Sequence, residues 1–254
     1  MPDHLRLAKT DAPPAARPAD PPGFVETPTA RDVLASVRLV HAAPGFDMTM
    51  IAGDAGWGKT ATLEHFVETE AGAVHLPIVP GWEKPSDMIH MLWPLYQGPR
   101  NGGESLVSLR DRLVEFLGGQ RLFLIFDEAQ HAGRTGLDWL RMVGEEAQVG
   151  MVFAGSRELY GLVKTMPQFH SRLTRPIVFR RGQPDDVAAI ARAHGFADAE
   201  TISDLADVAE QPGGLRNVVK VMALARLYEG DGPATAKHIS AAMAKMNLKP
   251  RRKK

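Results

Sequence analysis

Gly53-Asp54-Ala55-Gly56-Trp57-Gly58-Lys59-Thr60 is the stretch on which the reading of this sequence turns. It fits the pattern G-x-x-x-x-G-K-[ST], and it lies between the apolar run Met48–Ala52 and a helical pattern from about Lys59 to Glu70. A chance turn is conceivable in a chain with 24 glycines. The placement at a strand-to-helix junction argues for function instead. There the glycines let backbone N–H groups curl around the β-phosphate of a nucleotide, and the helix N-terminus favours negative charge. Lys59 is then expected to reach the β- and γ-phosphates, and the Thr60 hydroxyl to ligate Mg²⁺. The expected ligands are ATP and Mg²⁺. By itself, the loop says only that ATP or GTP is bound.

About 70 residues on stands Leu122-Phe123-Leu124-Ile125-Phe126-Asp127-Glu128, an acidic pair at the tip of an apolar strand. Two solvated acids at a strand end are the bland alternative. Next to a phosphate loop they suit a division of labour, Asp127 holding the Mg²⁺ shell and Glu128 polarising the attacking water. Asp127-Glu128-Ala129-Gln130-His131 has the look of a helicase box. Such helicases need a second α/β domain, whereas the pattern after residue 183 is helical.

Further outward, apolar strands alternate with helical patterns. Strands are expected at Met48–Ala52, Val74–Val79, Leu122–Phe126, Val149–Ala154 and Ile177–Phe179. Helices are expected from Thr29 to Val40, near 59–70, from Ser86-Asp87 towards Leu95, along Leu106, Leu109, Leu113 and Leu117, and near 135–147. This predicts an α/β fold with a mostly parallel five-stranded sheet between helices. After Gln183-Pro184 only helical patterns remain, near 185–194, 202–210, 214–229 and 235–247, which predict a small all-helical second domain. The expected division is 1–23 a disordered arm holding six of the 19 prolines, 24–183 the nucleotide-binding domain, 184–247 a helical lid and 248–254 a basic tail.

Composition narrows the class. With no cysteine there is neither a disulfide framework nor a thiolate metal site, which fits a reducing cytoplasm. No run of 18 apolar residues suggests a membrane span, so a soluble, cytoplasmic protein is expected. Net charge is zero, but Lys249, Arg251, Arg252, Lys253 and Lys254 leave residues 1–248 at −5. A nucleic-acid partner therefore needs a local basic patch.

Three other features have two readings each. Ser156, after the strand Val149–Ala154, is either a polar group near the γ-phosphate or a helix cap. Arg216, on the first turn of a helix after Pro212-Gly213-Gly214, is either a phosphate partner or a solvated cation where the helix dipole mildly disfavours one. Residues 157–181 hold six basic side chains against one acid, whereas 185–229 hold eight acids and four bases. That asymmetry suits head-to-tail assembly into rings or filaments, with Arg172 or Arg175 acting in trans on a neighbour's ATP. It equally suits a solvated basic surface.

Glycine loop, Asp127-Glu128, Ser156, Ser171-Arg172 and Gly214-Leu215-Arg216 occur in the order of an AAA+ ATPase with its helical lid. Within that superfamily, Phe24-Val25-Glu26-Thr27-Pro28-Thr29-Ala30-Arg31 resembles the lead-in of Mu-type phage B transposition proteins and their TnsC/TniB relatives. The resemblance spans about residues 24–247. It implies an ATP-dependent target-DNA activator that forms helical filaments on double-stranded DNA without strong sequence preference and recruits or stimulates a transposase. Hydrolysis would then remove it. Arg172 would be the arginine finger and Arg216 the lid sensor. Where the Mu protein carries a folded N-terminal domain, this sequence has a proline-rich arm, so DNA contacts are expected from the ATPase core or the tail. The resemblance implies the segment after the second strand, which here offers Lys84 and Arg100, and the tail offers Lys249, Arg251 and Arg252. For Lys84 a surface turn packed by Trp82 is the rival reading, and for the tail a solubilising role. The rival function is an ATPase that powers protein remodelling or secretion without direct DNA binding. Glu128 favours hydrolysis over nucleotide binding alone.

Overall fold

Strand β1 (Met48–Gly53) is buried along its whole length, as is β4 (Gly150–Gly155), which pairs with it from Met48 opposite Met151 to Ala52 opposite Gly155. The computed structural model describes residues 23–99, 103–228 and 235–248. Within it, β2 (Ala73–Pro77), β3 (Phe123–Asp127) and β5 (Ile177–Phe179) complete a parallel sheet in the order β2-β3-β4-β1-β5. Strands buried on both sides read as continuous apolar runs, which is why FLIF and MVFA carry no polar alternation.

Side chains along each strand alternate between two cores. Ile51, Phe123, Ile125, Val152 and Ala154 pack beneath α1 (Pro28–His41) and α2 (Lys59–Thr69), against Val33, Leu34, Val37, Leu63 and Phe66. Met48, Met50, Leu124, Phe126, Met151 and Phe153 face the other layer. That layer comprises α3 (Pro85–Tyr96), α4 (Leu106–Gly118), α5 (Gly133–Ala147), α6 (Arg157–Lys164) and the single turn α7 (Pro167–His170). Helix starts follow the chemistry of their caps. Thr27 accepts the N–H of Ala30 ahead of Pro28, and Ser105 accepts that of Ser108.

Beyond β5 the chain is helical: α8 (Pro184–Ala193), α9 (Ala199–Ala209), α10 (Gly214–Leu227) and α11 (Ala236–Lys245). They enclose a core of their own, with Leu205, Val208, Val218, Val221, Met222, Ile239 and Met243. Two contacts fasten this region to the sheet domain. Fully buried Asp186 accepts N–H bonds from Thr29 and Gln183, at 2.8 and 2.7 Å, and the hydroxyl hydrogen of Thr29. Trp57, from the middle of the glycine loop, is 8% exposed and belongs to the helical core.

Helices α6 and α7 are the elements that periodicity does not announce, since eight and four residues are too few to display a helical stripe. The proline-rich arm to residue 22, Arg100 and the basic tail from Lys249 lie outside the described residues. Among those described, no helix is long and apolar enough to cross a membrane.

Candidate nucleotide-binding site

The glycine loop, Asp127 and Ser156 lie at the carboxyl ends of strands, where parallel α/β folds gather their ligands. The glycine loop leaves β1, Asp127 ends β3, and Ser156 follows β4. Gly56 and Gly58 both adopt φ +85°, a left-handed conformation that side chains resist. A Cβ on Gly58 would meet nothing within 4 Å, so that side of the loop is open. Helix α2 begins at Lys59 with no side-chain cap, leaving its first N–H groups and the positive end of its dipole free for an anion.

Lys59 Nζ donates to the carbonyls of Gly53 and Asp54, at 2.8 and 3.0 Å. Burial holds its pKa below the usual lysine value, opposed by Glu128, Asp127 and Asp54, and the charge of Arg216 adds to the lowering. Thr60 Oγ1 donates to Asp127 Oδ2 at 2.7 Å, and His75 Nε2 lies 3.3 Å from the same oxygen. Burial alone would raise the Asp127 pKa. The hydrogen bonds from His75, Thr60 and the Glu128 backbone outweigh it, and the carboxyl is held below its ordinary value. His75 is raised in turn, chiefly by its hydrogen bond to Asp127 and against its own burial.

Glu128 follows at φ 52°, ψ 35°, and its carboxylate accepts a hydrogen bond from Gln130 Nε2 at 2.6 Å. Glu128, Ser156 and Arg216 line one cavity of about 660 Å³ with residues 55–62. Phe24, Ile190 and Val219 supply apolar wall beyond them. Ser156 fills its cap reading, since Oγ accepts the N–H of Glu158. Arg216 sits on the first turn of α10, its N–H bonded to the Gly56 carbonyl at 3.1 Å. Trp57 lines the cavity too, but its ring is committed to the helical core, and a Cβ on Gly214 would stand 2.9 Å from its Nε1.

Several expected residues are placed elsewhere. Arg172 is outside the cavity, pairing with Glu145 and donating to the Gln168 carbonyl at 2.8 Å. Arg175 pairs with Asp32, Arg181 with Glu210, and Arg157 lies 4.0 Å from Asp54. Within one chain, three arginines of the stretch 157–181 thus form ion pairs. Arg172, Arg175 and Arg181 meet acids that are distant in sequence. Such half-exposed pairs contribute only about 0–1 kcal/mol, so a stronger partner can displace them. Lys84 is the N-cap of α3, with its N–H on Asp87, and neighbouring Trp82 packs on the core. His75 and Gln130 contact Asp127 and Glu128, roles for which the sequence does not single them out. The nearest signal for His75 is a polar residue inside a strand expected to be apolar.

Among the described residues, no three His, Cys, Asp or Glu side chains gather to hold a metal. Thr60 and Asp127 together offer two hard oxygens, the number with which Mg²⁺ is held when phosphate and water complete its shell. The donor set therefore fits that ion.

Sheet order, glycine loop and acidic strand tip define an AAA+ P-loop protein. Residues 46–163 match the family model described as "AAA domain", and residues 171–246 match "Mu B transposition protein, C terminal". An AAA domain is thus followed in this chain by a domain that matches the C-terminal part of the Mu B transposition proteins. The ATP-dependent target DNA activator B of Escherichia phage Mu is 27% identical over 206 residues, which cover 78% of this chain and 64% of that protein. The Mu-like prophage FluMu DNA transposition protein B of Haemophilus influenzae is 25% identical over 213 residues, 80% of this chain and 72% of that one. In fold, the chain is similar to the Aeropyrum pernix ORC2 protein in its ADPNP-ADP complexes. The TM-score is 0.61 at 17% identity, covering 94% of this chain and 70% of that one.

Proposed function

We propose that this protein is an ATP-dependent, DNA-binding AAA+ ATPase. It assembles head to tail on target DNA, as a ring or filament, and recruits or activates a transposase. The observation that carries the reading is the Thr60–Asp127 hydrogen bond, which brings the two candidate Mg²⁺ ligands together beside Glu128 and the open glycine loop. The target DNA activators similar to this chain, and its Mu B C-terminal domain, support DNA and transposase as the partners.

In this reading the loop N–H groups and the α2 N-terminus bind the phosphates. Lys59 exchanges the Gly53 and Asp54 carbonyls for phosphate oxygens. Thr60 and Asp127 hold Mg²⁺, which when bound neutralises charge developing on those oxygens. Glu128 accepts a proton from the attacking water as its oxygen bonds to the γ-phosphorus and the bridge to ADP breaks. Arg216 reports the phosphates to the helical lid. Arg172 leaves Glu145 to reach a neighbour's γ-phosphate. Lys84, Arg100 and the tail residues Lys249, Arg251 and Arg252 contact DNA phosphates, and binding weakens steeply with salt.

Electron microscopy of the full chain, with double-stranded DNA and a slowly hydrolysed ATP analogue, tests this directly. Rings or filaments that require both DNA and nucleotide are expected. Isolated monomers under every condition would overturn the proposal.

A further inference from the structure

Gln130 lies in the 3-10 turn Ala129–Ala132 that follows β3, and its amide spans two strand tips. Nε2 donates to Glu128 Oε2 at 2.6 Å, while Oε1 accepts the backbone N–H of Ser156 at 3.1 Å. Those neighbours fix which way round the amide sits: a backbone N–H only donates, and an ionised carboxylate only accepts. The seat is shaped for it as well. A Cβ on Gly155 would stand 2.2 Å from Gln130 Oε1, so the glycine before Ser156 is what admits the amide. Glu128 meanwhile holds a left-handed backbone that residues other than glycine adopt rarely unless their surroundings impose it.

The geometry points to Gln130 as the positioning residue for the hydrolytic acid: it ties one oxygen of Glu128 to the tip of β4 and leaves the other to face the attacking water. This rests on the reading of Glu128 as the group that accepts the water's proton. A glutamine does this better than a charged residue would. It offers a donor to the carboxylate and an acceptor to the strand, and adds no net charge beside Lys59, Asp127 and Arg216. Because Ser156 lines the cavity, a displacement of its N–H on nucleotide binding is passed to Glu128 through one amide.

The test uses the full chain with DNA, ATP and Mg²⁺. Gln130→Glu keeps the length and the acceptor for Ser156, but removes the donor and sets a second carboxylate against Glu128. It is expected to lower kcat on the order of 10²-fold, the cost of a misplaced reacting group. In Gln130→Ala, which adds no charge beside the phosphates, kcat should fall as well while KM for ATP, affinity for a non-hydrolysed analogue and Tm stay unchanged. If Gln130→Glu does not fold, Gln130→Ala alone carries the comparison of kcat with KM. Unchanged kcat in Gln130→Glu, while Glu128→Gln abolishes hydrolysis, overturns the positioning role and leaves the base assignment intact. A matching loss of ATP affinity or of Tm in Gln130→Ala also overturns it, by making Gln130 a structural clamp. Full hydrolysis by Glu128→Gln overturns the base assignment, and this inference with it.

Discussion

Glu128 and His194 show how much a single side chain can depend on its setting. Glu128 stands where the phosphate loop, Ser156 and Arg216 converge, so its contribution is expected in turnover and not in binding. Glu128→Gln should cut hydrolysis by about 10²–10⁴-fold, the usual range for a lost general base. ATP binding should persist, and assemblies on DNA should outlast those of the unaltered chain. Phosphate release and sedimentation with DNA check the two halves. His194 is a different case. Its Nδ1 is buried without a hydrogen-bond partner, and burial, then the charge of Arg226, holds its pKa below the ordinary 6.5. The folded chain thus binds this proton less readily than the unfolded chain does. The stability that follows is complete above about 6.5 and is lost as pH falls through that value towards the folded pKa. Thermal melts across this range should show an acid-side loss of Tm that His194→Phe reduces.

At the scale of elements, the junction between glycine loop and helical region carries the sharpest expectation. Trp57 fills the helical core, Gly182 and Gly214 leave room for its ring, and Arg216 N–H bonds to Gly56. Trp57→Ala should cost about 3–5 kcal/mol of stability, as aromatic truncations in cores do. Chemical denaturation should show it, with α8–α11 losing protection from hydrogen exchange first. The glycine loop and the acidic strand tip are legible in the sequence because local spacing alone specifies them. Arg216 stands out in the sequence as a cation on a first helical turn, and the fold sets it on the cavity of the glycine loop. Trp57's destination is not legible. A large apolar residue inside a phosphate loop signals burial, but not against what. His75 and Gln130 are hidden for another reason: His75 meets Asp127 only through the register of β2 and β3, and Gln130, two residues from Glu128, reaches the Ser156 N–H only because the tips of β3 and β4 lie side by side. The ion pairs of 157–181 are hidden in the same way, because Asp32, Glu145 and Glu210 are near in space and far in sequence.

At the scale of the whole molecule, the question is whether one chain holds a complete site. Lys59, Thr60, Glu128 and Arg216 share a cavity, and Arg172 does not. If Arg172 serves a neighbour, Arg172→Ala and Lys59→Ala should each be inactive alone, and Arg172→Ala should still bind ATP. An equal mixture should regain activity, because about a quarter of sites in a random head-to-tail assembly pair an intact Lys59 with an intact Arg172. Measured ATP hydrolysis across mixing ratios decides it, and unaltered hydrolysis by Arg172→Ala alone would exclude the residue. The hydrogen bond from Arg216 to Gly56, with Trp57 beside it, has a consequence at this scale too. The nucleotide loop and the C-terminal helices share a mechanical joint, so a bound nucleotide and anything that grips those helices act on the same equilibrium. Thermodynamic reciprocity then requires that a partner whose hold on α8–α11 tightens with ATP must tighten the hold on ATP by the same factor. A transposase that docked there would be felt by the nucleotide without ever touching it.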